Sequence, residues 1–413
     1  DLLDVVRHQF KQLDAQQKAR DDGRYNSSPL HRVVVDEVQD LTQAEIALLI
    51  KLAQDKDRIF FCGDTAQTIS RGVSFRFTEV KDLMREMGAS RTLETKDYKM
   101  ELPKIEQLTH NYRSHDGIIR CAAAVVSLIS SFFPTSIDKL GEEVGHFQGP
   151  PPALLHDTDG QSLAEMVLAK DDNGMLEMGA NQVVLVRTEG AKSKLPPELK
   201  AGLVMTIEES KGLEFDDVIV YNPFTDSPAG AKVWGVLNSC EQEKMAEEER
   251  AAVQATEFSP TEHGVLCEEL KALYVALTRA RKRVFIFDEG GKDAGESAGG
   301  EDWRLINRGI RGAAFSFLHR LGVAEHDLKG ELSATATTSG RSTTADWLKR
   351  GENMLENKLW KHAEQCFLKG GDTVRVSSRG PGPLRPSVLD ENNGLYTVTY
   401  LATVSGTYQL SVT

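Results

Sequence analysis

The chain has little of what disulfide-stapled, zinc-binding or membrane-spanning proteins need. Its five cysteines are scattered over 413 residues without a Cys-x-x-Cys pair, which indicates reduced, mostly structural thiols in an intracellular protein. A signal peptide is not visible, and the apolar run from Cys121 to Phe133 is too short to cross a bilayer, so it predicts a buried helix. The composition leaves nuclear and cytoplasmic locations equally open.

Positive charge is also in short supply. The 49 Lys and Arg residues face 62 Asp and Glu residues, for a net charge of −13 at pH 7, which argues against a broadly basic nucleic-acid-binding surface. A local basic track is still compatible with the sequence, as in Arg279, Arg281, Lys282 and Arg283. The length and a hydrophobic content of 40% leave room for about two to four folded domains.

The most informative segment that is present runs from Val33 to Asp40 and reads VVVDEVQD. A β-branched run that ends in two adjacent carboxylates predicts a buried parallel strand with the acids at its carboxyl end. There Asp36 could hold Mg²⁺, usually through water, and Glu37 could orient or deprotonate a water that attacks a γ-phosphate. Taken alone, the same pattern is also typical of an ordinary solvated loop.

The order of the later segments favours the chemical interpretation. A strand-like run over 58–62 stops at GDTAQ, where Gly63 permits a tight turn and the neutral Gln67 can contact both water and phosphate. Three more blocks follow, namely NYRS at 111–114, KGLEF at 211–215 before a strand-like run, and YVALTRA at 274–280 before another. Each block alone could be a turn, a helix start or basic surface, but the ordered set predicts one functional unit.

Together the blocks DEVQD, GDTAQ, NYRS, KGLEF and YVALTRA resemble motifs II to VI of UvrD/Rep-type superfamily 1 helicases, over roughly residues 30 to 290. The segment TIEESKGLEFDDVIVYNPF, together with NYRSHDGI and FFPTSIDKL, is most similar to the UvrD-like domain of tetratricopeptide- and ankyrin-repeat proteins. The resemblance implies an α/β fold with two RecA-like P-loop NTPase domains. It also implies ATP and Mg²⁺ in the cleft between them and single-stranded nucleic acid, DNA favoured over RNA, across their tops.

The resemblance assigns roles by position. Asp36 would hold Mg²⁺, and the catalytic residues would be Glu37 as base, Gln67 as γ-phosphate sensor, and Arg113 and Arg279 as arginine fingers. The nucleotide would be bound by Asp64, Gly212 and Glu214, the last through the ribose. The nucleic acid would be contacted by Thr206, Lys211 and Phe75. Guanidinium forks suit the equatorial oxygens of a transferring phosphoryl group, and fingers distant from Glu37 in sequence would let domain closure complete the site.

The chain also departs from the family pattern. No GxxxxGK[ST] loop occurs anywhere, and the simplest account is a fragment that begins after that loop; the alternative is a domain that has lost ATP binding. Glu208 stands where these helicases usually carry His, which puts a DNA contact there in doubt. Phe75 lies in an unusual local sequence, so a buried core position is an alternative to base stacking. The span between Ser114 and Met205 is too short for a large accessory domain.

The missing loop yields a first prediction. Residues 1–413 alone should hydrolyse ATP at or near background, because the loop's backbone amides and Lys supply most of the β- and γ-phosphate binding. Phosphate release is measured with and without oligonucleotide. Robust Mg²⁺-dependent turnover that DNA stimulates would contradict the prediction.

The predicted organisation has six parts. They are a helical lead-in over 1–29, the remainder of the first RecA-like domain over 30–113, a helical connector over 114–152, the second RecA-like domain over 153–290, a helical hairpin over 303–371 and a β segment over 372–413. In the hairpin, Trp347, Gly351, Ala363 and Phe367 have tetratricopeptide spacing; a plain amphipathic hairpin is the alternative. Because one repeat cannot bury its own face, we expect it to dock on the core or to continue elsewhere.

The β segment and the overall function complete the expectations. DENNGLYTVTYLATVSGTYQLSV resembles the closing half of a filamin-type immunoglobulin repeat, too short for a whole sandwich of about 100 residues. The intact parent is expected to be an ATP-dependent helicase or translocase, since a scaffold has no need of so many dispersed polar residues of these types. The rival hypothesis is a non-catalytic helicase-like scaffold for protein interactions. In either case, protein partners could bind through the helical-repeat region.

Overall fold

The computed structural model describes residues 30–53, 58–70, 73–92, 103–155, 178–237, 258–288 and 342–370, with short strands and single residues elsewhere. The predicted helical lead-in over 1–29 lies, apart from single positions, outside the described residues. Within the part of the chain that the structure describes, no helix has the length and apolar character to cross a membrane.

The first α/β unit is small. Its elements are β1 (Val33–Val35), α1 (Gln43–Leu52), β2 (Ile59–Phe61) and α2 (Phe77–Thr92). Strands β1 and β2 pair in parallel, with Val34 opposite Phe60. Helix α1 starts at a capping box in which Thr42 and Glu45 bond each other's backbone amides, the arrangement that satisfies otherwise unpaired N–H groups at a helix start. The unit has its own apolar core, which includes Val38, Ile46 and Phe75.

A linking region leads to the second unit. It contains β3 (His110–Asn111), α3 (Asp116–Phe132) and β4 (Val144–Gly145), and β3 pairs with β4 in parallel. Helix α3 confirms the buried helix predicted from the apolar run, since residues such as Cys121, Val125 and Ile129 are fully buried. They belong to the same core cluster as the second sheet, so the predicted connector contributes to the packing of that unit.

The second unit is built on a six-stranded sheet. Its elements in chain order are β5 (Ala153–Leu155), β6 (Ala169–Lys170), β7 (Leu176–Glu177), β8 (Gln182–Val186), α4 (Glu189–Lys192), α5 (Pro197–Lys200), β9 (Val204–Thr206), β10 (Phe215–Tyr221), α6 (Ala231–Trp234), α7 (Gly264–Leu277), β11 (Ala280–Phe287) and β12 (Glu325–His326). The strand order is β12-β5-β11-β10-β8-β9, and every neighbouring pair is parallel. The prediction of an α/β fold with a parallel sheet is confirmed.

Both faces of this sheet are covered. In β10, Val218 and Val220 enter one apolar core while Ile219 and Tyr221 enter the other, the alternation expected when successive side chains point to opposite faces. Helices α3 and α7 lie in the first of these cores. Because the strands are parallel, their carboxyl ends meet at one edge, which is where loops that form binding sites in such sheets begin.

A helical hairpin follows, formed by α8 (Thr344–Glu356) and α9 (Trp360–Lys369). The two helices pack closely, because a Cβ on Gly351 would lie 2.5 Å from the Phe367 ring. Trp347 and Ala363 are buried in the core shared with the second sheet. The expected docking of the hairpin on the core is confirmed, and its assignment as a tetratricopeptide repeat stays a prediction.

The final segment is β in character, as predicted from Asp372 onward. Its strands are β13 (Val376–Arg379), β14 (Ser387–Asp390), β15 (Tyr396–Thr399) and β16 (Gln409–Val412). They form two antiparallel pairs, β13 with β16 and β14 with β15. The resemblance to half of a filamin-type sandwich stays a prediction.

Candidate nucleotide site

The two carboxylates lie directly after β1, as the sequence indicates. Glu37 has a left-handed backbone conformation, with φ of 51° and ψ of 39°, and starts a short 3-10 turn over Val38–Asp40. A non-glycine residue in this conformation costs about 1–3 kcal/mol and is typical of functional sites. Its carboxylate accepts a hydrogen bond from Gln39 Nε2. Gln39 is fully buried, and its Oε1 accepts from the backbone N–H of Asp64 at 3.1 Å, so it ties the ends of β1 and β2 together.

Asp36 is exposed beside Glu37, and its Oδ1 accepts from the Glu37 amide at 2.9 Å. A solvent-facing carboxylate fits Mg²⁺, which prefers oxygen ligands and usually takes one or two carboxylates plus phosphates and water. No cluster of three or more His, Cys, Asp or Glu side chains that could hold a metal occurs among the described residues. Burial, together with a hydrogen bond to Asp36, raises the pKa of the neighbouring Cys62 thiol, so this thiol stays neutral.

A second group of polar side chains lies at the end of β2. Asp64 Oδ1 accepts from the Ala66 amide at 2.9 Å and caps the 3-10 turn Thr65–Gln67. Asp64 Oδ2 accepts from Gln67 Nε2 at 3.0 Å and from Tyr274 Oη at 2.9 Å. Because Tyr274 lies on α7, this carboxylate joins the first unit to the second.

Arg279 is the most deeply buried charge of the site, with 1% of its surface exposed. It follows the C-terminal end of α7, where its Nε donates to Val275 O at 3.0 Å and its Nη1 donates to Leu213 O at 3.3 Å. Its Nη2 reaches across to Gln67 Oε1 at 3.0 Å. Burial and then the adjacent Arg113 charge lower the pKa of Arg279 to about 10, which still leaves the guanidinium charged at neutral pH.

Arg113 approaches the same point from the loop before α3. Its Nε donates to Glu214 Oε2 at 2.9 Å, and its Nη1 donates to Thr278 O at 3.3 Å. Glu214 also lies 3.4 Å from Arg281 Nη1 and is partly exposed, at 45% of its side chain. Arg113, Glu214 and Arg279 belong to three separate sequence blocks, and the fold brings them close together.

The KGLEF block turns sharply between these groups. Gly212 has a φ of +79°, a conformation that only glycine adopts readily. The preceding Lys211 forms an ion pair with Asp40 of the first unit, and only 11% of the Lys211 side chain is exposed. Asp40 also accepts from Ser70 Oγ at 3.1 Å. The residue expected to contact nucleic acid is thus held by a carboxylate in this conformation.

Thr206 is engaged in a local turn. Its hydroxyl accepts from the Glu209 amide at 3.1 Å, and its own amide donates to Glu209 Oε2 at 2.7 Å. Although burial opposes the shift, the Lys192 ammonium and the Thr206 amide lower the pKa of Glu209. Thr206 therefore shapes the loop that follows β9.

The expectation that Phe75 stacks on a nucleic-acid base is wrong for this structure. Its ring is 2% exposed and packs edge-on against Phe77, with ring centroids 5.0 Å apart. A ring buried in the first unit's core has no free face for a base, so the alternative of a core position is confirmed.

The remaining residues singled out from the sequence converge around the two strand ends and α7. Asp36, Glu37, Asp64 and Gln67 come from the first unit, and Arg113, Gly212, Glu214 and Arg279 come from the linking region and the second. Sequence reasoning missed Gln39, although it lies within the quoted DEVQD block. It also missed Tyr274, although it opens the YVALTRA block, and Tyr112 of the NYRS block, which is 77% exposed and stacks on His146 at 4.3 Å.

Two families match the chain. Residues 200–288 match the UvrD-like helicase C-terminal domain, and residues 6–73 match an AAA domain. The first range contains the KGLEF and YVALTRA blocks, and the second contains DEVQD and GDTAQ.

The chain is also similar to individual proteins. It is 38% identical over 361 residues to "TPR and ankyrin repeat-containing protein 1" of Homo sapiens, and the match covers 83% of this chain and 12% of that protein. It is 25% identical over 275 residues to a "Probable DNA helicase" of Mycoplasma pneumoniae, and this match covers 62% of this chain and 43% of that protein. The chain thus spans less than half the length of both relatives.

A solved helicase structure, from PRRSV, matches 63% of this chain and 36% of its own chain, at 14% identity and a TM-score of 0.32. The family matches and the human relative agree with the motif order read from the sequence. The resemblance to UvrD-like superfamily 1 helicases is therefore confirmed, and residues 200–288 match the UvrD-like helicase C-terminal domain.

Proposed function

We propose that these residues belong to an ATP-dependent helicase or translocase that couples ATP hydrolysis to movement along single-stranded nucleic acid, DNA in preference to RNA. The two α/β units are the two RecA-like domains, and the nucleotide binds between them. The observation that carries this proposal is the hydrogen-bonded chain that runs from Asp64 through Gln67 to Arg279. It joins side chains 212 residues apart in sequence, and it crosses from one unit to the other.

The proposed roles are those that the resemblance implies, and the geometry is compatible with them. Glu37 accepts the proton of the attacking water, and Gln67 senses the γ-phosphate between Asp64 and Arg279. Arg279 and Arg113 supply two guanidinium groups to the charge that develops on the transferring phosphoryl oxygens. Asp36 would hold Mg²⁺, which neutralises phosphate charge when it is bound. Gly212 lets the backbone approach the nucleotide closely, and Glu214 faces the ribose.

Tyr112 extends this set. Its ring is exposed next to Arg113, and His146 covers one of its faces with an interplanar angle of 26°. A rigid aromatic ring with one free face is a stacking surface for a nucleobase. We assign that free face to the adenine of ATP.

The function is tested with a longer polypeptide in which a phosphate-binding loop precedes residues 1–413. It is called the loop-containing polypeptide below. We expect Mg²⁺-dependent ATP hydrolysis that single-stranded oligonucleotide stimulates, and duplex unwinding or streptavidin displacement from a biotinylated strand. Absence of ATP hydrolysis by this polypeptide, with and without oligonucleotide, would contradict the proposal.

The Asp40–Lys211 ion pair makes a separate prediction for nucleic-acid binding. Asp40→Asn should free Lys211 to bind a phosphate of a single-stranded oligonucleotide. The slope of the logarithm of the association constant against the logarithm of the salt concentration should then become steeper by about one unit. Residues 1–413 suffice for this titration, followed by fluorescence anisotropy at several salt concentrations. Asp82→Asn removes the same charge from a surface pair with Arg85 and is the matched control. Equal salt slopes for the two variants would show that Lys211 does not bind the phosphates of the nucleic acid.

The scaffold hypothesis is kept as the second candidate because one observation favours it. Cations near the sheet edge are already neutralised, as in the Arg187–Glu269 pair at 2.6 Å and the Lys192–Glu209 pair at 2.7 Å. Such pairs suit a static framework that binds proteins. A loop-containing polypeptide that folds, binds no oligonucleotide and hydrolyses no ATP would favour this candidate.

A further inference from the structure

The helical hairpin contacts the candidate nucleotide site through Arg350 of α8. Its Nε donates to Ala180 O at 2.9 Å, its Nη2 donates to Asn181 Oδ1 at 2.6 Å, and its Nη1 donates to Glu214 O at 3.1 Å. The guanidinium also lies over the Phe215 ring, 4.7 Å from its centroid. One planar group therefore binds the residues before β8 and the residues before β10, a task that suits the fixed donor fork of arginine.

Arg279 of the candidate site contacts the same backbone segment as Arg350 of the hairpin. Arg279 Nη1 donates to Leu213 O at 3.3 Å, and the Phe215 amide donates to Arg279 O at 2.9 Å. Between these contacts lies Glu214, whose carboxylate pairs with Arg113 at 2.9 Å. The three residues from Leu213 to Phe215 are thus fixed on one side by the site and on the other by the hairpin.

The docking of the hairpin does not depend on Arg350 alone. His362 Nε2 lies 3.0 Å from Val204 O, and Gln365 Nε2 donates to Gly202 O at 2.8 Å. Trp347 and Met354 are buried in the shared core. Removal of the Arg350 side chain should therefore leave the hairpin docked while releasing the backbone that precedes β10.

We propose that the hairpin is a positioning element of the nucleotide site and that Arg350 is the positioning residue through which it sets the placement of Glu214. The proposal rests on the function proposed above. It makes the hairpin a part of the ATP-binding machinery of the second unit, so that whatever binds or displaces the hairpin changes the affinity for nucleotide.

The structural half of the proposal is tested by hydrogen exchange in residues 1–413, which needs no enzymatic activity. The amides of Asp216 and Asp217 donate to Asn181 O at 2.8 and 3.2 Å, and Asn181 is one of the groups that Arg350 holds. Arg350→Ala should accelerate exchange of these amides by roughly tenfold, with little change in the amides of α9. Lys349→Ala, at the neighbouring exposed position of α8, is the matched control. Uniform acceleration throughout the hairpin, or none, would overturn the proposal.

The functional half is tested in the loop-containing polypeptide by separating KM for ATP from kcat. Misplacement of Glu214 should raise KM by roughly tenfold and leave kcat within about threefold, the pattern of lost ground-state binding. A variant that merely unfolds in part would show a lower apparent kcat at unchanged KM. Arg350→Lys keeps the charge but not the fork, and its KM should fall between those of the wild type and Arg350→Ala.

The outcomes separate the two proposals. If the wild-type polypeptide hydrolyses ATP and Arg350→Ala has the same KM as Lys349→Ala, the positioning role is wrong and the proposed function stands. If the wild type shows no hydrolysis, the proposed function fails and with it the link to nucleotide, whatever the exchange result.

Discussion

Replacement of Arg279 with alanine is expected to slow ATP hydrolysis in the loop-containing polypeptide by about 10³–10⁵-fold, the range for loss of an arginine finger. This corresponds to about 4–7 kcal/mol of activation free energy. The side chain is buried, charged and bonded to Gln67 Oε1, so its guanidinium is held in place before the reaction and costs little reorganisation. Single-turnover rates at saturating nucleotide and oligonucleotide measure the effect.

Because Arg279 also donates to the carbonyls of Val275 and Leu213, its loss could weaken the fold. Arg279→Lys and a thermal melt of each variant separate the two effects, since a lysine keeps the charge without the fork. Lys282→Ala is the matched control, because Lys282 is 62% exposed in a surface pair with Asp216. Arg283 is unsuitable, since it pairs with the buried Asp217 at 2.5 Å. Equal, mild effects for Arg279→Ala and Lys282→Ala would refute the finger assignment.

Glu37→Gln is expected to reduce hydrolysis by about 10²–10⁴-fold, the contribution typical of a general base. Nucleotide affinity should stay within about threefold, because the amide keeps the shape and one acceptor oxygen for Gln39. The measurements are the hydrolysis rate and the Kd of a fluorescent ATP analogue in the same polypeptide.

Glu106→Gln, at an exposed position of the linking region, is the control for the loss of one negative charge. A Glu37→Gln variant with the control's hydrolysis rate would show that Glu37 is not the base. A parallel loss of nucleotide binding would instead assign Glu37 to binding.

The strands of the second unit could be found from the sequence, because their side chains face two cores. Uninterrupted apolar runs such as 183–186 and 218–221 are the signature of such strands, and β8 and β10 contain them. The acids after β1 were also found, because strand ends at one sheet edge share a site.

What the sequence could not supply was the set of contacts between distant segments. Tyr274 and Asp64 are 210 residues apart, and Arg350 and Glu214 are 136 apart, and no periodicity links such pairs. Phe75 illustrates the reverse case. An aromatic residue beside a motif suits either a stacking surface or a core, and only its packing against Phe77 decides between them.

The hydroxyl of Tyr274 has a consequence for how the two units respond to their surroundings. Burial, and then the nearby Asp64 charge, raise its pKa well above 10.0. The tyrosine hydroxyl therefore keeps its proton, and its bond to Asp64, from neutral pH up to the unfolded value near 10.0, and this contribution is lost only as the pH rises through the higher folded value. Over the alkaline side of the physiological range this contact does not titrate. A change in pH within that range therefore leaves intact the hydrogen bond that joins the two units at this point.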